Sequence, residues 1–327
     1  MSLYTSATFN PVLSEALNKI GENQFVGTKI LPVRDVATKS GQYPVFGDDQ
    51  FDLNASKVRA AGSAFARRDF AYGQQDYSCK QYALEGLLPD EDVTQASDDG
   101  ISDSAAAIAK KLQRDIMVGH ELRVASLMAA AGFNSTNATQ TMATSATAKP
   151  IADIQNAVER LNGNGFYDGI ALIMETSLFN AMLNTDDVRG IFNGNGQYSN
   201  RQVILDALGV NEIIITPTRY NSAAKGATAS RSKIWSTNSY FVGQVAGGDF
   251  ANGGFGRTLS YSADGGVFSA EQYRDEPIKS DVLRVFHSVY DSIINTNACE
   301  QIAIAYTIEL SLIPLSRKTR AAHLLLN

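Results

Sequence analysis

Residues Phe25–Phe46 read FVGTKILPVRDVATKSGQYPVF. A strand-like opening runs into Pro32, charged residues follow, and Lys39-Ser40-Gly41 makes a turn signal before a second short strand that contains Pro44. Proline cannot donate to a sheet ladder, so Pro44 predicts an edge position. The stretch continues in the same style to Leu88, with strand-like AFARRDFAYG and DYSCKQYALEGLL and no helical periodicity. Phe65, Phe70, Tyr72, Tyr77 and Tyr82 sit there among Arg67, Arg68, Asp69 and Lys80. A hairpin this polar has two readings: an ordinary solvated surface feature, or a projection whose apolar positions are covered by something outside its own domain.

After Ser97 the period changes. SDDGISDSAAAIAKKLQRDIMVGHELRVASLMAAAGF predicts one long helix with Ile101, Ala105, Ile108, Leu112, Ile116, Gly119 and Leu122 as its apolar stripe. Asp98, Asp99 and Asp103 suit the positive end of the helix dipole, and Gly132 suits its exit. A helix of about thirty residues extends roughly 45 Å, which predicts a strut. Residues 134–148, NSTNATQTMATSATA, read as a polar surface loop. Pro150 then opens a second helix that Asn162-Gly163 closes. GIALIME, EIIITPT and KIWSTNSYFVGQV predict strands, and SLFNAMLN and RQVILDALG predict helices, together an α/β lobe over about 150–250. The glycines between 246 and 266 predict mobile loops. Strands return in VLRVFHSVYDSIIN and in the strict alternation of Ile302, Ile304, Tyr306, Ile308, Leu310 and Leu312. The fold class is α+β.

A chain of 327 residues with 44% hydrophobic and 19% charged content has the balance of a folded protein. A net charge of -6 disfavours a surface built to neutralise phosphates. Cys79 and Cys299 fit neither a metal motif nor a disulfide framework and are expected as free thiols. Neither a basic-then-apolar leader nor an eighteen-residue apolar run occurs, so no membrane association or export is expected.

Chemistry is hard to anchor. His120, His287 and His323 have no second ligand at helical spacing, so no metal site and no cofactor is expected, and no histidine receives a catalytic role. The acidic run PDEDVTQASDDG offers Asp90 and Asp92 to a hydrolase, but its spacing is not that of a calcium loop. GNGFYDG, Gly163–Gly169, follows a helix and opens a strand, the reverse of a dinucleotide fingerprint, and reads as a turn. No nucleophile elbow or P-loop occurs, and the chain is read as a non-enzyme.

The order of elements resembles the major capsid proteins of tailed bacteriophages, which share the Hong Kong 97-type coat fold. The resemblance rests on FVGTKILPVRDVATKSGQYPVF with YALEGLLPDED, on the helix after SDDGISD, and on YFVGQV through YRDEPIKSDVLRVFHSVYDSIINTNACEQIAI, and covers roughly residues 5–306. It implies an N-terminal arm (1–24), an extended hairpin loop with flanking strands (25–95), a spine helix and loop of a peripheral domain (96–149), an axial domain (150–250), C-terminal strands of the peripheral domain (251–313) and a loose tail (314–327). It further implies a homo-oligomer of hexamers and pentamers forming an icosahedral shell in the virion. That shell encloses double-stranded DNA without gripping it, and the subunit is made in the host cytoplasm.

Only about two dozen residues precede the hairpin, so scaffolding is expected from a separate protein, beside a portal. Lys39 and Lys57 lie in the loop, but no crosslink is expected. On this reading the hairpin lies across a neighbouring subunit. Arg59, Arg67, Arg68 and Asp69, with Phe46 and Phe51, are the candidate interface residues, the alternative being solvated side chains. A cell-encoded nanocompartment shell of the same fold is the neighbouring alternative, and a hydrolase using Asp90 and Asp92 the distant one.

Overall fold

The computed structural model describes residues 8–19, 25–46, 58–59, 61–65, 67, 72–92, 104–142, 146–193, 201–224, 226–245, 247, 254–261 and 267–304. The chain starts with β1 (Thr8–Phe9) and α1 (Pro11–Lys19). The opening stretch then departs from the all-strand expectation. Gly27–Ile30 is a single helical turn, α2, with Ile30 and Leu31 fully buried. Gly27 packs closely against His120 in this turn: a Cβ there would stand 3.2 Å from the ring.

After β2 (Val33–Val36) and β3 (Ser40–Phe46) come β4 (Tyr72–Ser78) and β5 (Lys80–Pro89). β2 and β3 do not form a hairpin with each other. β3 pairs antiparallel with β4 from Ser40↔Ser78 to Phe46↔Tyr72, so the excursion closes over a longer span of sequence. Pro44 sits in this two-stranded ribbon, as its missing N–H requires.

The strut is α3 (Ser104–Ala130), 27 residues and therefore about 40 Å long. Its buried face is rotated from the predicted stripe. Ala109, Gln113, Ile116, Met117, His120, Glu121, Val124 and Met128 are buried, whereas Ala105, Ile108, Leu112, Gly119 and Leu122 are half-buried. The rotation follows from polar residues taking core positions where other elements supply partners, as when Gln113 Nε2 donates to the Leu17 carbonyl at 3.0 Å. Ile101, Asp98, Asp99 and Asp103 lie outside the described residues.

Next follow β6 (Asn134–Asn137), α4 (Pro150–Gly163), β7 (Ile170–Glu175), α5 (Thr176–Leu183), α6 (Asp186–Asn193), α7 (Arg201–Leu208) and β8 (Glu212–Thr216). β9 (Arg219–Asn221) and β10 (Arg231–Lys233) form a small ribbon. The chain continues through β11 (Ser239–Gln244), β12 (Gly256–Tyr261), β13 (Ser269–Asp275), β14 (Ser280–Ile293) and β15 (Cys299–Ala303). The polar stretch read as a loop therefore contributes an edge strand. β6 pairs parallel with β15 and needs little apolar content because it borders one neighbour only. The glycines of 246–266 likewise flank β12, a buried strand.

Two sheets organise the molecule. The first runs β1-β13-β14-β12-β2, with β5 also paired to β14. β14 holds it together, pairing with β5 from Ser280↔Pro89 to Val289↔Lys80 and with β13 from Ser280↔Asp275 to Phe286↔Ser269. The N-terminal half of α3 packs there: Ala109, Ile116 and Met117 meet Leu283, Val285, Phe268 and Ala270. The second sheet runs β6-β15-β11-β7-β8 and is covered by α4 to α7 around Ile154, Leu161, Leu172, Met182, Tyr240 and Ile302. The C-terminal half of α3 reaches its other side, where Val124 and Met128 join Ala171, Ile173, Ile214 and Phe241. β15 carries the start of the Ile302–Leu312 alternation, and the remainder from 305 lies outside the described residues. None of the described helices is long and apolar enough to cross a membrane. Both cysteines are buried and free, and burial pushes both thiols up, which keeps them unreactive.

Candidate subunit interface

The β3–β4 hairpin is fixed at its base. Thr38 Oγ1 and Tyr77 Oη lie 2.9 Å apart, and Cys79 N donates to the Lys39 carbonyl at 2.8 Å. Gly41 allows the close approach of Tyr77, since a Cβ there would meet the ring at 3.2 Å. One face of the ribbon is apolar: Tyr43 and Tyr77 are buried with Cys79 and Leu259, and Val36, Val45, Tyr261, Tyr290 and Ile294 pack around them. Tyr43 Oη donates to Gln75 Oε1 at 2.5 Å and lies 2.6 Å from Ser292 Oγ of β14. The expectation that the hairpin's apolar face is buried between chains therefore fails for β3 and β4. Their own subunit covers it, because the alternation of the ribbon places Tyr43, Val45 and Tyr77 on the side that meets β12 and β14.

The opposite face, with Gln42, Pro44, Gln74 and Asp76, is exposed. Beyond the ribbon, Val58 is fully exposed and Phe65 is 77% exposed. Arg59 folds locally, its guanidinium 4.3 Å above the Phe65 ring and its Nη1 donating to the Ser63 carbonyl at 2.7 Å. Arg67 is exposed. Phe51, Arg68, Asp69 and the side chain of Phe46 lie outside the described residues, as does Lys57. Of the six interface candidates, then, Arg59 and Arg67 are placed at the surface.

Of the two acids of the hydrolase alternative, Asp90 is spent on structure. Asp90 is gripped by the two-pronged Arg274 guanidinium, with both N–O distances at 2.6 Å, and those hydrogen bonds hold its carboxyl below the usual carboxylate range. An ionised, paired Asp90 is a poor general acid. Asp92 is exposed, and no group of three metal-ligating side chains occurs among the described residues.

A buried polar clasp on α3 escaped the sequence reading. His120 Nε2 lies 3.0 Å from Asp291 Oδ1 of β14, and Thr258 Oγ1 of β12 donates to the same oxygen at 2.8 Å. Arg123 Nε stands 3.6 Å from Asp291 Oδ2, with its guanidinium 3.6 Å over the Tyr82 ring of β5. Burial opposes the charge on Asp291, but the bonds from His120 and Thr258 outweigh it, so its carboxyl stays below the usual range. His287 stacks on Phe268 at 5.2 Å, and burial drives its pKa down to about 3, so the ring is neutral.

One position further along α3, Glu121 accepts from Val26 N at 3.2 Å and from Trp235 Nε1 at 2.9 Å. Adjacent helix residues thus tie the strut to the first sheet on one side and to the opening stretch and the second lobe on the other. The legible signal was HSVYD, which puts His287 and Asp291 on one side of a strand. Their partners on α3 are too distant in sequence to be read.

This arrangement of a spine helix across two sheets with a base-anchored hairpin decides the comparison with solved structures. The chain has the phage capsid fold. It matches a phage-related protein from Bordetella bronchiseptica with a TM-score of 0.72 at 20% identity, over 91% of this chain and 98% of that one. It matches the capsid of cyanophage P-SCSP1u with a TM-score of 0.53 at 12% identity, over 84% and 86%. A virus-like particle from Pyrococcus furiosus gives 0.51 at 13% identity, over 89% and 95%. No family model and no curated protein matches the sequence. The α+β, Hong Kong 97-type architecture expected from the element order is the one observed.

Proposed function

We propose that this protein is the structural subunit of a tailed-phage head, assembling as hexamers and pentamers into an icosahedral shell that encloses double-stranded DNA. The observation that carries the reading is that the capsid fold accounts for nearly the whole chain, 84% of it against 86% of the cyanophage capsid protein. The exposed Val58 and Phe65, in the sequence between the two ribbon strands, support it, since large apolar side chains left exposed in a single subunit suit burial by a neighbour. In this reading the first sheet with α3 is the peripheral domain, the second sheet with α4–α7 is the axial domain, and residues 1–24 are an arm. The subunit is made in the bacterial cytoplasm and resides in the virion. A separate scaffolding protein and a portal complete the assembly.

Each interface is modest. At about 25 cal/mol per Å², 1,000 Å² of apolar area is a gross term of about 25 kcal/mol, much of it offset by the cost of ordering. Closure of a shell multiplies the remainder.

Negative-stain microscopy of the purified protein, alone and with its scaffold co-expressed, is expected to show closed or tubular assemblies. Monomers under every condition would refute the proposal. Arg67→Glu with Arg68→Glu is expected to abolish assembly while the circular dichroism of the subunit is unchanged. A nanocompartment shell is the second reading, favoured by the resemblance to the Pyrococcus furiosus virus-like particle. Purified particles containing nuclease-protected DNA favour the phage head, and particles containing a protein cargo favour the compartment.

A further inference from the structure

The β9–β10 ribbon stands beside the N-terminal half of α3 and carries an unusual concentration of positive charge. Its register places Arg219 directly opposite Lys233 and Arg231 opposite Asn221, so all three basic side chains share one face. Like charges set opposite each other destabilise a strand pair. Lys233 is neutralised, its Nζ lying 3.2 Å from Glu175 Oε2 and 2.6 Å from Ser177 Oγ. The guanidinium groups of Arg219 and Arg231 have no hydrogen bond or ion pair among the described residues.

Both line a notch of about 360 Å³, which Arg114 of α3 joins from the other side and Phe25, Val118 and Pro217 floor. Lys110 lies one turn before Arg114 on the same helix face. Glu121 accepts a hydrogen bond from Thr218 at the notch wall, but it is buried and already spent on Val26 N and Trp235 Nε1. A net charge of -6 makes three guanidiniums around one concavity a local exception, and a low-dielectric concavity concentrates their field. The planar fork of arginine matches the oxygens of a phosphate better than it matches a point charge.

We infer that this notch binds phosphate groups of a nucleic-acid backbone, with Arg219 and Arg231 on one wall and Arg114 on the other. The inference deepens the shell reading and rests on it for the source of the phosphates: it makes the notch part of the DNA-facing surface. Such a contact is weak and insensitive to sequence. With three neutralised phosphates the log–log salt slope is about −2.7, so raising salt from 50 to 200 mM weakens binding about 40-fold. A container that must release its contents needs contacts of this kind.

The test is fluorescence anisotropy of a labelled 20-base-pair DNA duplex titrated with the full-length protein at 50 and 200 mM NaCl. Binding that is independent of duplex sequence and falls about 40-fold with salt is expected. Arg219→Gln with Arg231→Gln is expected to flatten the slope to about −0.9 and weaken binding at 50 mM by at least about tenfold, with Arg189→Gln as an unaffected surface control. The inference is overturned if the wild-type protein does not bind, if the double variant binds as wild type, or if a poly-glutamate peptide displaces the duplex at equal charge concentration. That last result would make the notch a carboxylate site for an acidic protein segment. The titration uses unassembled subunits, because a notch on the inner face of a closed shell is out of reach of added duplex. Subunits that ignore the duplex yet form closed shells with scaffold refute the notch alone, whereas subunits that bind the duplex yet form no shells even with scaffold refute the shell alone.

Discussion

His287→Phe is expected to remove much of the acid sensitivity of the folded subunit. His287 is 3% exposed on β14, stacked on Phe268 at 5.2 Å, edge-on to Tyr82 at 5.7 Å and to His120 at 6.0 Å. Arg123 Nη2 lies 3.5 Å from its Nε2, and Asp291 completes the charged surroundings. Burial, then the neighbouring His120 and Arg123, lower its pKa to about 3, and Asp291 opposes them.

In the unfolded chain the ring has its ordinary pKa of about 6.5, so below that pH the unfolded state takes up a proton that the native state refuses. The stability tied to the neutral ring is complete above pH 6.5 and drains away as the pH falls towards 3. At pH 4.5 the loss is about two pH units at 1.36 kcal/mol each, or about 2.7 kcal/mol. With about 2.1 cal/mol/K of unfolding entropy per residue over 327 residues, that corresponds to about 4 °C in Tm.

Asp291 does not contribute in this window, because a lowered carboxyl loses its stabilising charge only below about pH 4. Glu121, whose carboxyl burial raises, has the opposite sign but acts equally in both proteins. The assay is thermal unfolding of unassembled wild type and His287→Phe by circular dichroism from pH 7.5 to 4.5. The difference in Tm between them is expected to change by about 4 °C over that range, whatever its value at pH 7.5. Curves parallel to within about 1 °C would refute the reasoning.

Three further outcomes are expected. Arg160→Ala strands Glu300, which is 1% exposed and held at 2.6 and 2.8 Å, and should cost about 3–5 kcal/mol in urea unfolding; Glu300→Gln should cost only about 1 kcal/mol, because Arg160 reaches water. Gly256→Ala places a Cβ 2.7 Å from the Ser292 carbonyl oxygen and 2.6 Å from Leu31 Cδ2, so the strand must shift and Tm should fall by the equivalent of about 1–3 kcal/mol. Phe65→Ser should leave subunit stability within about 0.5 kcal/mol while lowering the yield of closed particles in microscopy, since the side chain is 77% exposed in the single subunit.

Period and punctuation alone set the long helix, the Pro150 helix, the buried strand Ile170–Glu175 and the long strand Ser280–Ile293, because each carries its signal within its own residues. The same local rules misread 134–137, where a strand with one neighbour needs no apolar residues, and Gly27–Ile30, where a helix of four residues is too short to show a helical period. The site followed the same division. Arg59 and Arg67 were legible as charges of an exposed segment, but that Arg59 folds over Phe65, and whether the hairpin's tyrosines faced a neighbour or their own subunit, were not.

Sequence thus determined the kinds of elements and their order, and with them the α+β class and the resemblance to a coat protein, because local periodicity needs only neighbours along the chain. The tertiary structure alone decided that α3 turns His120 and Glu121 inward, that Tyr43 and Tyr77 are buried at home, and that Arg114, Arg219 and Arg231 meet around one notch. Those facts depend on which distant residue supplies a hydrogen bond, a covering side chain or an opposing charge, and such partners are fixed only when the chain closes on itself.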